Sequence, residues 1–115
     1  MRLLLLGAYF ALAATASFAE DAAVLKRGES IVVRNCARCH ATARTGESRH
    51  PEAPQFRTLG KRYPVEFLEE ALGEGIISGH PDMPEFIFAG SDVHAIIAIS
   101  SRFKNVNRDF RKIGS

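Results

Sequence analysis

The chain has 115 residues, 46% of them hydrophobic and 24% charged, with a formal net charge of +2. That length accommodates one domain, and those fractions are those of an ordinary globular protein, which excludes disorder over most of the chain. So small a charge argues against a nucleic-acid-binding face, and no G-x-x-x-x-G-K-[ST], G-x-G-x-x-G or G-x-S-x-G run suggests nucleotide binding or a nucleophile elbow.

Residues 1–19 are expected to be a secretory signal peptide. Arg2 supplies a positive start, Leu3 to Ala14 is a nearly unbroken apolar stretch, and Ser17-Phe18-Ala19 puts small residues where a signal peptidase reads them. The alternative is a retained membrane anchor, because the 17 residues from Leu3 to Ala19 reach the lower limit of the roughly 17–25 that span a bilayer. Either way the chain is expected to be exported to the periplasm. Cleavage after Ala19 leaves residues 20–115 as one domain with 14 basic and 13 acidic side chains. Its end, residues 105–115, reads as a basic C-terminal tail whose mobility is left open. A domain of this size buries a thin core and ordinarily needs a staple. Its only cysteines, Cys36 and Cys39, are too close in sequence for a disulfide to constrain much chain.

Before those cysteines, Leu25, Gly28, Val32 and Cys36 recur at helical spacing, with Lys26, Arg27, Glu29 and Arg34 off the stripe, and Asp21 is the expected N-cap. A glycine inside a helix costs about 1 kcal/mol relative to alanine. The close approach of another helix would give Gly28 its reason; a tolerated surface glycine is the alternative.

Residues 36–40 read Cys-Ala-Arg-Cys-His, the C-x-x-C-H signature of covalent c-type haem attachment. Two cysteines three apart lie on one face of a helical turn, so both sulfurs can form thioethers to the two vinyl groups of one porphyrin. The histidine that follows is carried beneath the ring, where one imidazole nitrogen can bind iron. Its other nitrogen needs a hydrogen-bond acceptor to fix tautomer and orientation. The backbone of Ala53-Pro54-Gln55 is one candidate and His50-Pro51 the other. A thioredoxin-like dithiol would need a βαβ setting, and no alternating strand precedes Cys36. A structural zinc would need four ligands, where this run offers three.

Pro64 to Leu72 reads as a second helix, with proline first, acidic residues early, Val65, Leu68 and Leu72 as the apolar stripe, and Gly73 and Gly75 ending it. Ser91-Asp92 opens a third, Val93 to about Phe103, whose Ile96-Ile97-Ala98-Ile99 run implies burial on most of its perimeter, with Gly28 of the first helix as its expected partner. Between them lies His80-Pro81-Asp82-Met83-Pro84, a loop that prolines stiffen on both sides of the one methionine left after signal removal. A thioether is a soft iron ligand that raises the reduction potential when paired with histidine. Met83 is therefore the expected partner of His40 on the metal. Core filling is its ordinary alternative, and His80, His50 and His94 are the rival ligands.

On these residues the chain resembles a class I cytochrome c of the small, exported, single-haem bacterial kind. The resemblance covers residues 22–104 and rests on Gly28 eight before Cys36, on Cys36-Ala37-Arg38-Cys39-His40, on Ala53-Pro54, on Met83-Pro84 and on Asp92-Val93. It implies an all-α cytochrome c fold of three main helices around one covalently attached haem c, the terminal helices crossing near Gly28, and His40 and Met83 as axial ligands. Val32 and the position near Ile99 stand where the family often has aromatic residues, and Ala41 where it often has glycine after the histidine. No tryptophan is present to bond a haem propionate; Arg57, Lys61, Arg62 and Tyr63 are the candidate substitutes.

Iron with both axial positions filled by protein leaves no place for substrate, so the expectation is a one-electron carrier, not an enzyme. Its partners are then redox proteins and not nucleic acid; a membrane enters only if the N-terminal segment is retained, and the chain is expected to be a monomer. Lys26 to Arg49 carries six basic and two acidic residues, Glu66 to Asp92 seven acidic and no basic ones, and Arg102 to Lys112 five basic and one acidic. The first segment would steer the protein toward acidic partners, or is simply a solvated face. Two other classes remain: a fixed electron-transfer subunit of a periplasmic dehydrogenase or oxidase, docked through apolar residues such as Ile87 and Phe88, and a haem ligand binder or peroxidase with an open iron site.

Overall fold

A computed structural model describes residues 21–75 and 80–113, the last ten of these for the backbone alone. Among the described residues the protein is all-helical, with four α-helices and no strand. The expected signal peptide lies outside them. No described helix is long and apolar enough to cross a membrane.

Helix α1 is helical over 21–35 and turns its Gly28, Ile31 and Val32 into the core, with Val24 and Leu25 half-buried beside them. The apolar stripe is thus wider than Leu25, Gly28, Val32 and Cys36 alone. Asp21 is already helical and does not cap α1, since a capping residue takes a non-helical backbone. Helix α4 (Gly90–Ile113) is the long partner. A Cβ placed on Gly28 would lie 2.1 Å from the carbonyl oxygen of Ala95 and 2.8 Å from its carbon. Only glycine lets the two backbones come this close. The crossing expected of Gly28 is present, and Ile99 sits against it: its Cγ2 lies 3.2 Å from the same point. Arg27 adds an exposed ion pair across the crossing, with Nη2 2.6 Å from Oδ1 of Asp92.

Three expectations about helix ends need correction. Helix α4 begins at Gly90, where the N–H groups of Asp92 and Val93 both bond the Ala89 carbonyl, and it runs through residue 113 instead of ending near Phe103. The stretch read as a basic tail from residue 105 is therefore helical to Ile113. The segment after Tyr63 is two pieces, a 3-10 turn at Val65–Phe67 followed by α3 (Leu68–Glu74): Pro64 holds an extended backbone, and its carbonyl accepts the turn's first hydrogen bond from Phe67 N–H at 3.1 Å. Gly73 lies inside α3, and Gly75 ends it at φ +109°, a conformation that favours glycine.

The three main helices expected are joined by a fourth, α2 (Phe56–Arg62), in a segment to which the sequence reading assigns no element. It buries Phe56 and Leu59 against α4 and closes on Lys61 and Arg62, cations suited to a helix C-terminus. Ile31, Val32, Phe56, Leu59, Val65, Ala95 and Ile96 make one core, with Leu72, Phe88 and Ile99 packed against it. Val65 is the most deeply buried of these large side chains, at 1% exposure. The one buried polar side chain among the described residues, Ser100, donates to the Ile96 carbonyl at 2.7 Å.

Candidate cofactor-attachment site

The site begins where α1 ends. Cys36 N–H bonds the Val32 carbonyl at 2.8 Å, and Cys39 and His40 N–H both bond the Cys36 carbonyl, at 3.1 and 2.9 Å, so helical pairing continues as a tightening turn through residues 36–40. That turn puts both sulfurs and the imidazole on a short arc. Cys36 and Cys39 are free thiols, each half-buried. Burial, with Cys39 adding to it, pushes the Cys36 thiol up to about 11. A dithiol exchange pair needs the opposite, a thiol held near or below neutrality so that a thiolate can attack.

His40 Nδ1 lies 2.7 Å from the Pro54 carbonyl oxygen. A carbonyl can only accept, so Nδ1 carries a proton, and in the neutral ring Nε2 is then the nitrogen with the lone pair that a metal would take. Of the two acceptors open in the sequence, Pro54 is the one used. Phe56 then meets His40 edge to face, with centroids 5.6 Å apart and planes at 88°. The proline-bearing loop and the first residue of α2 between them fix the ring's orientation.

That loop is held by its own polar contacts. Ala41 N–H bonds Ser48 Oγ at 3.0 Å, Phe56 N–H bonds the Ala41 carbonyl at 2.9 Å, and Arg57 reaches back to the Gly46 carbonyl at 2.7 Å. Arg57 is thereby engaged in bracing the loop, while Lys61, Arg62 and Tyr63 are exposed on and beside the end of α2.

Met83 is half-buried at the end of the 80–83 turn, its N–H on the His80 carbonyl at 3.2 Å. Two side-chain pairs bind this turn to the loop after the cysteines. His50 Nε2 donates to Asp82 at 3.1 Å, and His80 Nε2 donates to Glu52. His50 N–H in turn bonds the Cys39 carbonyl at 3.1 Å, so a short chain of contacts runs from the motif to the residue beside Met83. Glu52 is held below its ordinary carboxylate value, first by the hydrogen bond and charge of His80. The turn is also anchored from behind: Phe88 N–H bonds the Leu72 carbonyl at 2.9 Å, and Phe86 stacks on Phe88 at 5.6 Å. His94 stands apart, exposed on α4.

The chain matches no family model, no curated protein and no solved structure. Its site must be read from its own residues. Phe56, Glu52 and Asp82 were not singled out from the sequence. For Phe56 a signal existed, a Phe-x-x-Leu pair following Pro54-Gln55 at helical spacing. For the two His–carboxylate pairs there was none, because each joins residues about thirty apart in the chain.

Proposed function

We propose that this chain is an exported one-electron carrier with the fold of a class I cytochrome c. Cys36 and Cys39 hold one haem c through thioethers, and His40 and Met83 are its axial ligands. The observation that carries the reading is the His40–Pro54 hydrogen bond, which readies Nε2 of the motif histidine for a metal and uses a carbonyl on the loop that the motif itself called for. The donor set fits the group: two free thiols on one turn, an imidazole with its proton on the far nitrogen, and one thioether on a braced loop. The all-helical fold and the passage of Gly28 against Ala95 are in keeping with it.

When bound, haem supplies an Fe(III)/Fe(II) couple that passes one electron with no substrate on the metal. The protein's own part is positional. Pro54 and Phe56 set the angle of His40, while the His50–Asp82 and His80–Glu52 pairs hold the turn that presents Met83. Those pairs also favour Met83 over two of its rivals, since the Nε2 atoms of His50 and His80 are already given to carboxylates. All six basic residues between Lys26 and Arg49 are exposed, which suits steering toward an acidic redox partner. Of the two apolar residues considered for a fixed docking face, Ile87 is exposed while Phe88 packs on the core, which leaves that face thin.

The test is the visible spectrum of the purified protein, oxidised and reduced. The expected result is a c-type haem with the weak long-wavelength band of sulfur ligation in the oxidised form. Met83→Ala should abolish that band, lower the potential and open the iron to carbon monoxide. A protein without haem absorption refutes the reading; a band that survives Met83→Ala refutes the ligand assignment.

A further inference from the structure

Away from the cysteine turn, a second set of ligand-type side chains converges between two loops. His50, His80 and Asp82 each bring one donor atom within 4.8 Å of the other two. Of these, His50 Nε2 and Asp82 Oδ2 are 3.1 Å apart. The imidazoles stand edge to face at 5.2 Å, and Glu52 reaches Nε2 of His80 from the third side. Donors 2.0–2.2 Å from a tetrahedral zinc lie about 3.3–3.6 Å from one another. The His50–Asp82 spacing of 3.1 Å is close to that range, and both carboxylates are largely exposed, with room to turn toward an ion.

We propose that His50, His80 and Asp82, with Glu52 as fourth donor, bind one divalent first-row cation, for which Zn²⁺ is the fitting ion. Two imidazoles with carboxylates form a borderline donor set. Calcium and magnesium prefer oxygen throughout, and the soft thiolate sites lie elsewhere in this chain. The cation takes the place of the ring protons now shared with the carboxylates. With Nε2 of His50 on the metal, its proton moves to Nδ1, and the long 3.3 Å contact from the Glu52 N–H is given up. A bound ion would lock the loop carrying Pro54 to the turn carrying Met83, across residues 32 apart in sequence. The site itself does not depend on the haem reading.

The experiment is calorimetric titration of zinc chloride into the full exported chain, followed by zinc X-ray absorption. One ion per chain is expected, with affinity reduced at least about tenfold in both His50→Ala and His80→Ala. The absorption should show nitrogen and oxygen at about 2.0–2.2 Å and no sulfur near 2.3 Å. No binding, or affinity unchanged in both variants, overturns the metal site and leaves the haem reading intact. Sulfur in the zinc shell overturns both, since it would place zinc on Cys36 and Cys39. If a histidine variant does not fold, near-isosteric Asp82→Asn must show the same loss of affinity, and failure to do so overturns the site.

Discussion

The helical frame and the two loops it carries are built by different physics. Where α1 crosses α4, aliphatic side chains and one glycine bring backbone onto backbone. The loop between His40 and Phe56, and the turn around Met83, hold instead by hydrogen bonds: Ser48 to Ala41, Arg57 to Gly46, His50 to Asp82, His80 to Glu52. Burial is non-directional and tolerant of detail, whereas hydrogen bonds fix angle. The proposed chemistry falls on the loops, because orienting one imidazole and presenting one thioether would be a directional task. Phe56 belongs to both regions, being part of the core on one side and of the His40 cradle on the other.

The strongest challenge to this division is removal of the group both regions are proposed to enclose. In Cys36→Ala/Cys39→Ala, denied covalent attachment, so small a core should lose most of its helical circular dichroism. Native-like helicity would mean that the frame stands without the cofactor. Phe56→Ala comes next. Truncating a buried phenylalanine costs about 3–5 kcal/mol in urea unfolding, and here it should also broaden the His40 ring signals. A cost below about 1 kcal/mol, near the usual value for any substitution, would remove Phe56 from the joint.

Gly28→Ala sharpens the frame side. The new methyl meets the Ala95 backbone, which cannot rotate away as a side chain can. Overpacking of this kind costs about 1–3 kcal/mol, against a gain of about 1 kcal/mol expected for the same change in an open helix. A stabilised variant would refute the crossing. Arg27→Ala, in the same interface but on its exposed rim, should cost no more than about 1 kcal/mol.

The smallest effect belongs to the loops and disappears in acid. With Glu52 held below its ordinary 4.5, its contribution is complete above that pH and is lost as pH falls through the lower folded value. Without added metal, Glu52→Gln should lower stability slightly at neutral pH, and its curve should converge with that of the parent as pH falls below about 4.5. A parallel downward shift at every pH would mean that the His80–Glu52 pair acts by packing alone.

These regions also differ in how far they could be read from sequence. Gly28 was legible because an interior glycine on an apolar stripe has few uses, and Pro54 only as one of two candidate acceptors for the imidazole, the other being His50-Pro51, between which the sequence does not choose. The polar clamps were not: His50 and Asp82 are far apart in the chain, and no periodicity links them. Helix α2 was missed because a proline-flanked segment of seven residues shows only two apolar positions, Phe56 and Leu59. The length of α4 was recoverable in principle, since Ile99, Phe103, Val106, Phe110 and Ile113 alternate spacings of four and three, but the basic residues among them suggested a solvated tail.

The most direct test of the account is the intact mass of the exported, denatured chain. The account predicts residues 20–115 plus the mass of one haem, with the added mass confined to the peptide that holds Cys36 and Cys39. A chain weighing only its amino acids would contradict it.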